Sequence, residues 1–318
     1  MAGILEIPQP VKFIFEKFPL EAYAPVGKAD NAVKYESEQR TYPFVGSTSI
    51  QNSINETFKL GVYNVFRHKE TGSILATDPW CLYTQLALCK KNSLSLCTGE
   101  EKKRKNQHSM VVLSHSAATD ARLPVLVEGY SKRYVRSTEG INEILSSRVT
   151  DAKDVMYLAL LDTVVYDCWI SQVVYNLSAE KLLDLYHYKP HQSRLLDKLV
   201  LSDLKSSLIK RNEFHLRHLE VAKNIESLSF YKAKSIDELT QPLLQNCQKV
   251  LLQFQKLLGD RRFYSENVTP SYLDLKLASY TLCIMNLDED VALYRFVVDH
   301  CDKLVQHANY IVDIYKKV

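Results

Sequence analysis

No CxxC pair occurs anywhere in the 318 residues, and no cysteines and histidines cluster at zinc-ligand spacing. Seven cysteines (Cys81, Cys89, Cys97, Cys168, Cys247, Cys283 and Cys301) stand singly in apolar stretches. An odd count without close pairs argues against a disulfide framework and for reduced, buried thiols in a cytosol-like compartment. No run reads as a membrane span. The most apolar long stretch, 155–177, contains Asp162 and Asp167, and two carboxylates in mid-span would be costly. No signal-peptide core is visible, because Glu6, Lys12, Glu16 and Lys17 interrupt the first twenty residues. A matrix presequence would be Arg-rich, yet the first arginine is Arg40. The charge is nearly balanced, at +3 with a pI of about 8.3, too mild to point to nucleic acid. Internal repeats and long low-complexity tracts are also missing. Any work at a membrane is therefore expected to depend on partners that hold the chain there.

What is present describes a folded protein. Hydrophobic residues make up 46% and charged residues 24%, a soluble globular composition. The length suits two domains with sizeable cores. Residues 1–56 form an N-terminal extension holding five of the ten prolines: Pro8, Pro10, Pro19, Pro25 and Pro43. Within it Val11, Ile14, Phe15 and Phe18 recur at helical spacing, with Phe13 beside them, between a helix-starting Pro10 and a stopping Pro19. Such a segment is too short to be stable alone. It packs on its own domain or, with Phe13, Phe15 and Phe18 as anchors, docks on another protein.

Residues 57–148 read as alternating strand and helix. Strands are expected at 58–66, 94–97 and 110–114, and a hairpin at 123–136. A helix is expected over 79–91, with Asp78 as N-cap and Pro79 in the first turn. Ser137 or Thr138 caps a helix containing Ile141, Ile144 and Leu145. The run Glu100–Lys105 reads as a solvated charged loop. Residues 149–318 read as all helix, at 153–177, 179–188, 193–228, 236–258, 271–286 and 289–316, with Gly259 the lone glycine. Ser271 and Asp274 form a capping box, with Asp in the place of the usual Glu.

This order of strand, helix with an early proline, hairpin containing Leu123-Pro124-Val125-Leu126, capped helix and all-α region resembles the glutathione-transferase fold. It is an α+β class with a thioredoxin-like domain before a helical one. Pro124 falls where that fold has its cis-proline, and Ser271-Tyr272-Leu273-Asp274 matches its interior capping box. More closely, four segments resemble the smaller metaxin-like subunits of the fungal mitochondrial sorting and assembly machinery. They are Phe58–Phe66, Ala76–Leu82, Leu160–Ile170 and Lys210-Arg211-Asn212, and the likeness also reaches Pro10-Val11-Lys12 and Phe18-Pro19-Leu20. The resemblance implies a peripheral protein on the cytosolic face of the mitochondrial outer membrane. It implies contact with a core β-barrel subunit, which the protein caps, and with a second metaxin-like subunit. It also implies reception of β-barrel precursors through their β-signal.

The residues can be weighed against catalysis. Cys81, in the first turn of a helix after a strand, is where thioredoxin-type folds place a reactive thiol, since the helix end favours a thiolate. It has no resolving cysteine, and buried free cysteines are usually inert. Transferases of the resembled fold carry Glu/Gln-Ser where this chain has Arg136-Ser137, and Arg136 would oppose glutathione's ammonium group. Asp162 and Asp167, five apart, share no helix face and are expected to cap or to bond between helices. The reading is a non-enzymatic subunit with no catalytic, metal or cofactor residues, recognising partners by shape and backbone pairing. Lys132, Arg133 and Arg136 are candidate partner contacts; Asp78, Pro79, Pro124, Ser271 and Asp274 are structural. The alternatives are a glutathione-dependent transferase and a scaffold that never touches precursor.

Overall fold

The computed structural model describes residues 9–17, 32–104, 106–118, 120–129, 132–188, 194–226, 235–265 and 268–316. Residues 1–39 and 40–318 are separate compact units. The first holds α1 (Gln9–Lys17) and α2 (Ala32–Gln39). Pro10 lies in the first turn of α1, where its missing N–H costs nothing. Phe13 is 62% exposed, with the Lys17 ammonium 5.6 Å from its ring centre. Phe18 and Pro19 lie outside the described residues. The helix α2 occupies part of the polar stretch 30–41, whose composition reads as loop.

The second unit opens with β1 (Thr41–Pro43), β2 (Phe58–Val62), β3 (Val65–Arg67) and β4 (Ile74–Ala76). Then come α3 (Pro79–Asn92), β5 (Ser109–Val112), β6 (Val125–Glu128), β7 (Tyr134–Arg136) and α4 (Thr138–Ser146). A mixed five-stranded sheet runs β1-β5-β2-β6-β7, and β3 and β4 form a separate hairpin. The strand β2 lies parallel to β5 and antiparallel to β6, with Leu60 opposite both Met110 and Leu126. Apart from Lys59 it is buried, as a central strand covered on both faces should be. At Gly61 a Cβ would stand 2.7 Å from the Leu113 and Val125 side chains, so only glycine fits this close approach.

Two strand expectations are corrected. The run 58–66 is two strands, because Tyr63 and Asn64 turn the chain from the sheet into the hairpin. Residues 94–97 form no strand: Val45 and Ser95 bond each other, Leu96 N donates to Tyr315 O, and Ile74 N donates to Cys97 O. Backbone groups committed to three different neighbours cannot form one ladder. The strand that completes the parallel pair is β5, and β1, which no periodicity marked, adds an antiparallel edge to it.

The rest is helical: α5 (Ala152–Leu160), α6 (Tyr166–Ser171), α7 (Ala179–Leu185), α8 (Arg194–Lys210), α9 (Phe214–Arg217) and α10 (Leu219–Glu226). They are followed by α11 (Ile236–Leu258), α12 (Tyr272–Met285), α13 (Ala292–His300) and α14 (Asp302–Tyr315). The expected helix 153–177 is continuous but passes through two π-helical stretches, Leu161–Val165 and Gln172–Asn176. The expected 289–316 breaks at Cys301. The expected 193–228 breaks after Arg211, where Asn212 and Glu213 take left-handed φ values of 52° and 56°. No helix among the described residues is long and apolar enough to cross a membrane.

Sheet and helices meet along α3 and α12, both buried almost all round. Such a helix belongs in the middle of its layers. Trp80 Nε1 donates to Tyr280 Oη (3.2 Å), and Lys90 Nζ to Pro270 O (2.7 Å), across this seam.

Candidate functional site

The start of α3 is built from local rules. The Asp78 Oδ1 accepts from Trp80 N (3.1 Å) and Cys81 N (3.3 Å), which satisfies two of the helix's free donors. Pro79 supplies a preset φ at the first helical position. The Leu123–Pro124 bond nearby is cis. Thr138 Oγ1 donates to Pro124 O (2.8 Å), and Ser137 caps α4 by accepting from Gly140 N (3.3 Å).

Into this corner the break after α8 inserts Arg211, whose side chain is 1% exposed. Its Nη2 donates to Asp78 Oδ2 (2.7 Å) and its Nε to Tyr166 Oη (2.7 Å). Its Nη1 reaches Tyr63 Oη and Leu123 O, each at 3.5 Å. Tyr63 Oη also accepts from Leu123 N (3.2 Å). The guanidinium carbon lies 5.1 Å from the Trp80 ring centre, 5.3 Å from Tyr166 and 5.7 Å from Tyr63. These are cation–π distances in a desolvated setting. Thus the backbone beside the cis-proline and the carboxylate at the helix start are both engaged by the chain's own side chains.

The electrostatics follow. Burial works against the Arg211 charge, but Asp78 together with the Tyr166, Tyr63 and Tyr186 oxygens outweighs it and holds the pKa well above the usual value, so Arg211 stays charged. Burial pushes the Tyr63 phenol up to about 12. It pushes the Cys81 thiol well above its ordinary value; the Asp78 charge adds to this, and Arg211 only partly offsets it. A nucleophilic cysteine needs a thiolate and an approach. Cys81 is buried and is held as a neutral thiol. The other six cysteines are buried as well. Among the described residues no group of His, Cys, Asp or Glu is arranged to hold a metal ion.

The remaining carboxylates of note are interhelical partners. Asp162 pairs with Lys276 (2.5 Å), and Asp167 receives Arg217 at both oxygens (2.6 and 2.9 Å) and His218 at 2.8 Å. Asp274 completes the capping box with Ser271 and also accepts from Tyr264 N (2.9 Å) and pairs with His307 (3.0 Å).

The candidate contact residues fall in different places. Lys132 and Arg133 are exposed at the tip of the β6–β7 hairpin, next to Tyr134 (53% exposed) and Val135 (48%). Arg136 is half-buried, tied to Glu128 (2.5 Å) and set over the Tyr134 ring (4.6 Å). Together with Lys91 and Arg148 it borders a cleft of about 240 Å³ floored by Leu88, Leu126 and Ile141. Phe13 lies in the separate N-terminal unit. Pro79, Cys81 and Pro124 are buried and form no outer surface. Arg211 was not singled out as a site residue by sequence reasoning, although Lys210-Arg211-Asn212 was part of a resemblance. The available signal was an arginine between the apolar Leu208-Ile209 and Phe214.

Comparison with known proteins adds identity to this geometry. Residues 5–128 match the family described as SAM35, subunit of the SAM complex. The sorting assembly machinery 35 kDa subunit of Saccharomyces cerevisiae is 41% identical over 326 aligned positions, covering 97% of each chain.

Proposed function

Because the chain belongs to the SAM35 family of sorting and assembly machinery subunits, we propose that it is a non-catalytic subunit of the complex that inserts β-barrel proteins into the mitochondrial outer membrane. It caps the barrel-forming core subunit on the cytosolic side, contacts a second metaxin-like subunit, and helps to receive precursors through their β-signal. It is peripheral, held by these partners. The likeness across 97% of both chains carries the assembly reading. The non-catalytic part is supported by Arg211, which occupies the corner where a glutathione or redox site would need an accessible thiolate. The element order and the cis-proline support a glutathione-transferase-like fold, with an extension at 1–56, a thioredoxin-like domain at 57–148 and an all-α domain at 149–318. Phe13, Phe15 and Phe18, and separately Lys132, Arg133 and Arg136, are its partner contacts.

Affinity isolation from solubilised outer membrane tests this. A barrel-forming subunit should co-purify with the full chain. Alanine at Phe13, Phe15 and Phe18 together should release the chain while leaving its melting temperature nearly intact. Isolation without any barrel-forming partner would overturn the reading. Retention on glutathione resin, with electrophile conjugation abolished by Cys81→Ser, would favour the transferase instead.

A further inference from the structure

The chain treats the two outer edges of the β3–β4 hairpin differently. Thr77 N donates to Asn64 O (3.0 Å) and His68 N to Ser73 O (2.8 Å), with Val65 opposite Ala76. This alternation turns the backbone groups of Asn64, Phe66 and His68 toward β4, and those of Val65 and Arg67 away from it. On the far side of β4 the chain satisfies the corresponding groups itself. Ile74 N donates to Cys97 O (2.8 Å), Ala76 N to Gln85 Oε1 (3.0 Å), and Gln85 Nε2 to Ile74 O (2.9 Å). On the far side of β3, Val65 N turns back to Asn64 Oδ1 (2.8 Å), and no strand among the described residues pairs with the edge. Exposed edges are normally blunted, because unpaired N–H and C=O groups attract other strands. Here the β4 edge is blunted along its length, whereas on the β3 edge Val65 N is satisfied from within and the outward groups of Arg67 have no strand partner among the described residues.

The Val65 end of this edge borders a groove of about 590 Å³, within the roughly 300–1,000 Å³ range of clefts that hold ligands, and Arg67 lies just beyond its lining. Val65 and Phe66 form one wall, α7 forms the other, and Leu177 and Leu287 also line it. Asn64 Nδ2 donates to Asp184 O (2.6 Å) and Thr77 Oγ1 to Leu185 O (2.8 Å), fixing the spacing of the walls. The lining is acidic: Glu180, Asp184 and Asp288 stand against one cation, Lys181, which Asp288 holds at 2.7 Å.

We propose that β3 receives an extended segment of an incoming polypeptide as an added strand, with a basic side chain of that segment toward the acidic α7 wall. Backbone pairing supplies the affinity and the groove supplies the side-chain preference. The proposal rests on the assembly reading, under which the segment is a strand of a β-barrel precursor.

The test uses the full chain in the isolated complex, with a fluorescent synthetic peptide of the last strand of an outer-membrane barrel protein. A photo-crosslinking amino acid at Val65 should form an adduct with the peptide, and one at Arg133 should not. Arg67→Pro removes an outward N–H that the β3–β4 ladder does not use, and should weaken binding about tenfold. Arg67→Ala keeps that N–H and should change binding less than about twofold. A melting curve checks that the proline variant is folded; if it is not, the Val65 adduct decides. Adducts at Arg133 instead of Val65, or a folded Arg67→Pro variant binding like wild type, would overturn the β3 edge and leave precursor reception standing. No binding by wild type, in a complex that still co-purifies with its barrel subunit, would overturn both the edge and precursor reception while leaving complex membership intact.

Discussion

Arg211 and Asp78 are nearly fully buried, and each faces the other as its charged partner among the described residues. Their attraction is strong in that setting, and so is the penalty for leaving one charge alone. Arg211→Met should lower the unfolding free energy by about 3–5 kcal/mol, because Asp78 is left buried and unpaired. Adding Asp78→Asn should recover part of that loss. Urea denaturation of the wild type and the two variants checks both statements, and a single-variant loss below about 1 kcal/mol would contradict the pairing. Half of this arrangement was legible in sequence. The capping role of Asp78 is local, since its partners lie two and three residues on. The ion pair was not legible, because Arg211 lies 133 positions away and nothing local marks an arginine as buried.

Helix starts were the most readable elements. Asp78, Ser137 and Ser271 each cap the helix that follows, a pattern completed within four residues. Helix interruptions were hidden. The apolar period continues through 193–228, but Arg211 can enter the core only if the chain turns, and Asn212 and Glu213 supply that turn at positive φ. Asn212 offsets part of the strain by donating to Asp162 O (2.5 Å). Glu213→Gly should therefore raise stability by roughly 0.5–1 kcal/mol, the relief of a left-handed residue less the entropy cost of glycine. Asn212→Ala should lower it, since the strain stays and the hydrogen bond goes. Thermal melts of the two variants should move in opposite directions. The strand β1 escaped notice because three residues carry no measurable period, and the 94–97 segment misled because an apolar run fits a strand or a buried connection equally well.

Across the molecule the buried thiols set a common pH response. Burial holds Cys301 up at about 11 and Cys97 at about 12, and pushes Cys81, Cys168 and Cys283 well above the usual thiol range. Below about pH 8.5 these groups are protonated in both folded and unfolded chains and favour neither. Above it the unfolded chain releases protons that the folded chain keeps, so stability falls as pH rises. The urea midpoint should be lower at pH 9.5 than at pH 7.5, and a midpoint that holds or rises would contradict the burial. Sequence by itself determined the class of structure: alternating strand and helix followed by helices, with their starts marked, because capping, turn chemistry and apolar period act over a few residues. It also carried the family likeness, which runs along nearly the whole chain. Tertiary structure alone decided that the helix start at Asp78-Pro79-Trp80-Cys81 is filled from within by Arg211. It alone decided that β3 keeps a partly open edge beside an acidic groove. Both depend on which distant groups the fold brings within hydrogen-bond reach, and no local pattern encodes that distance.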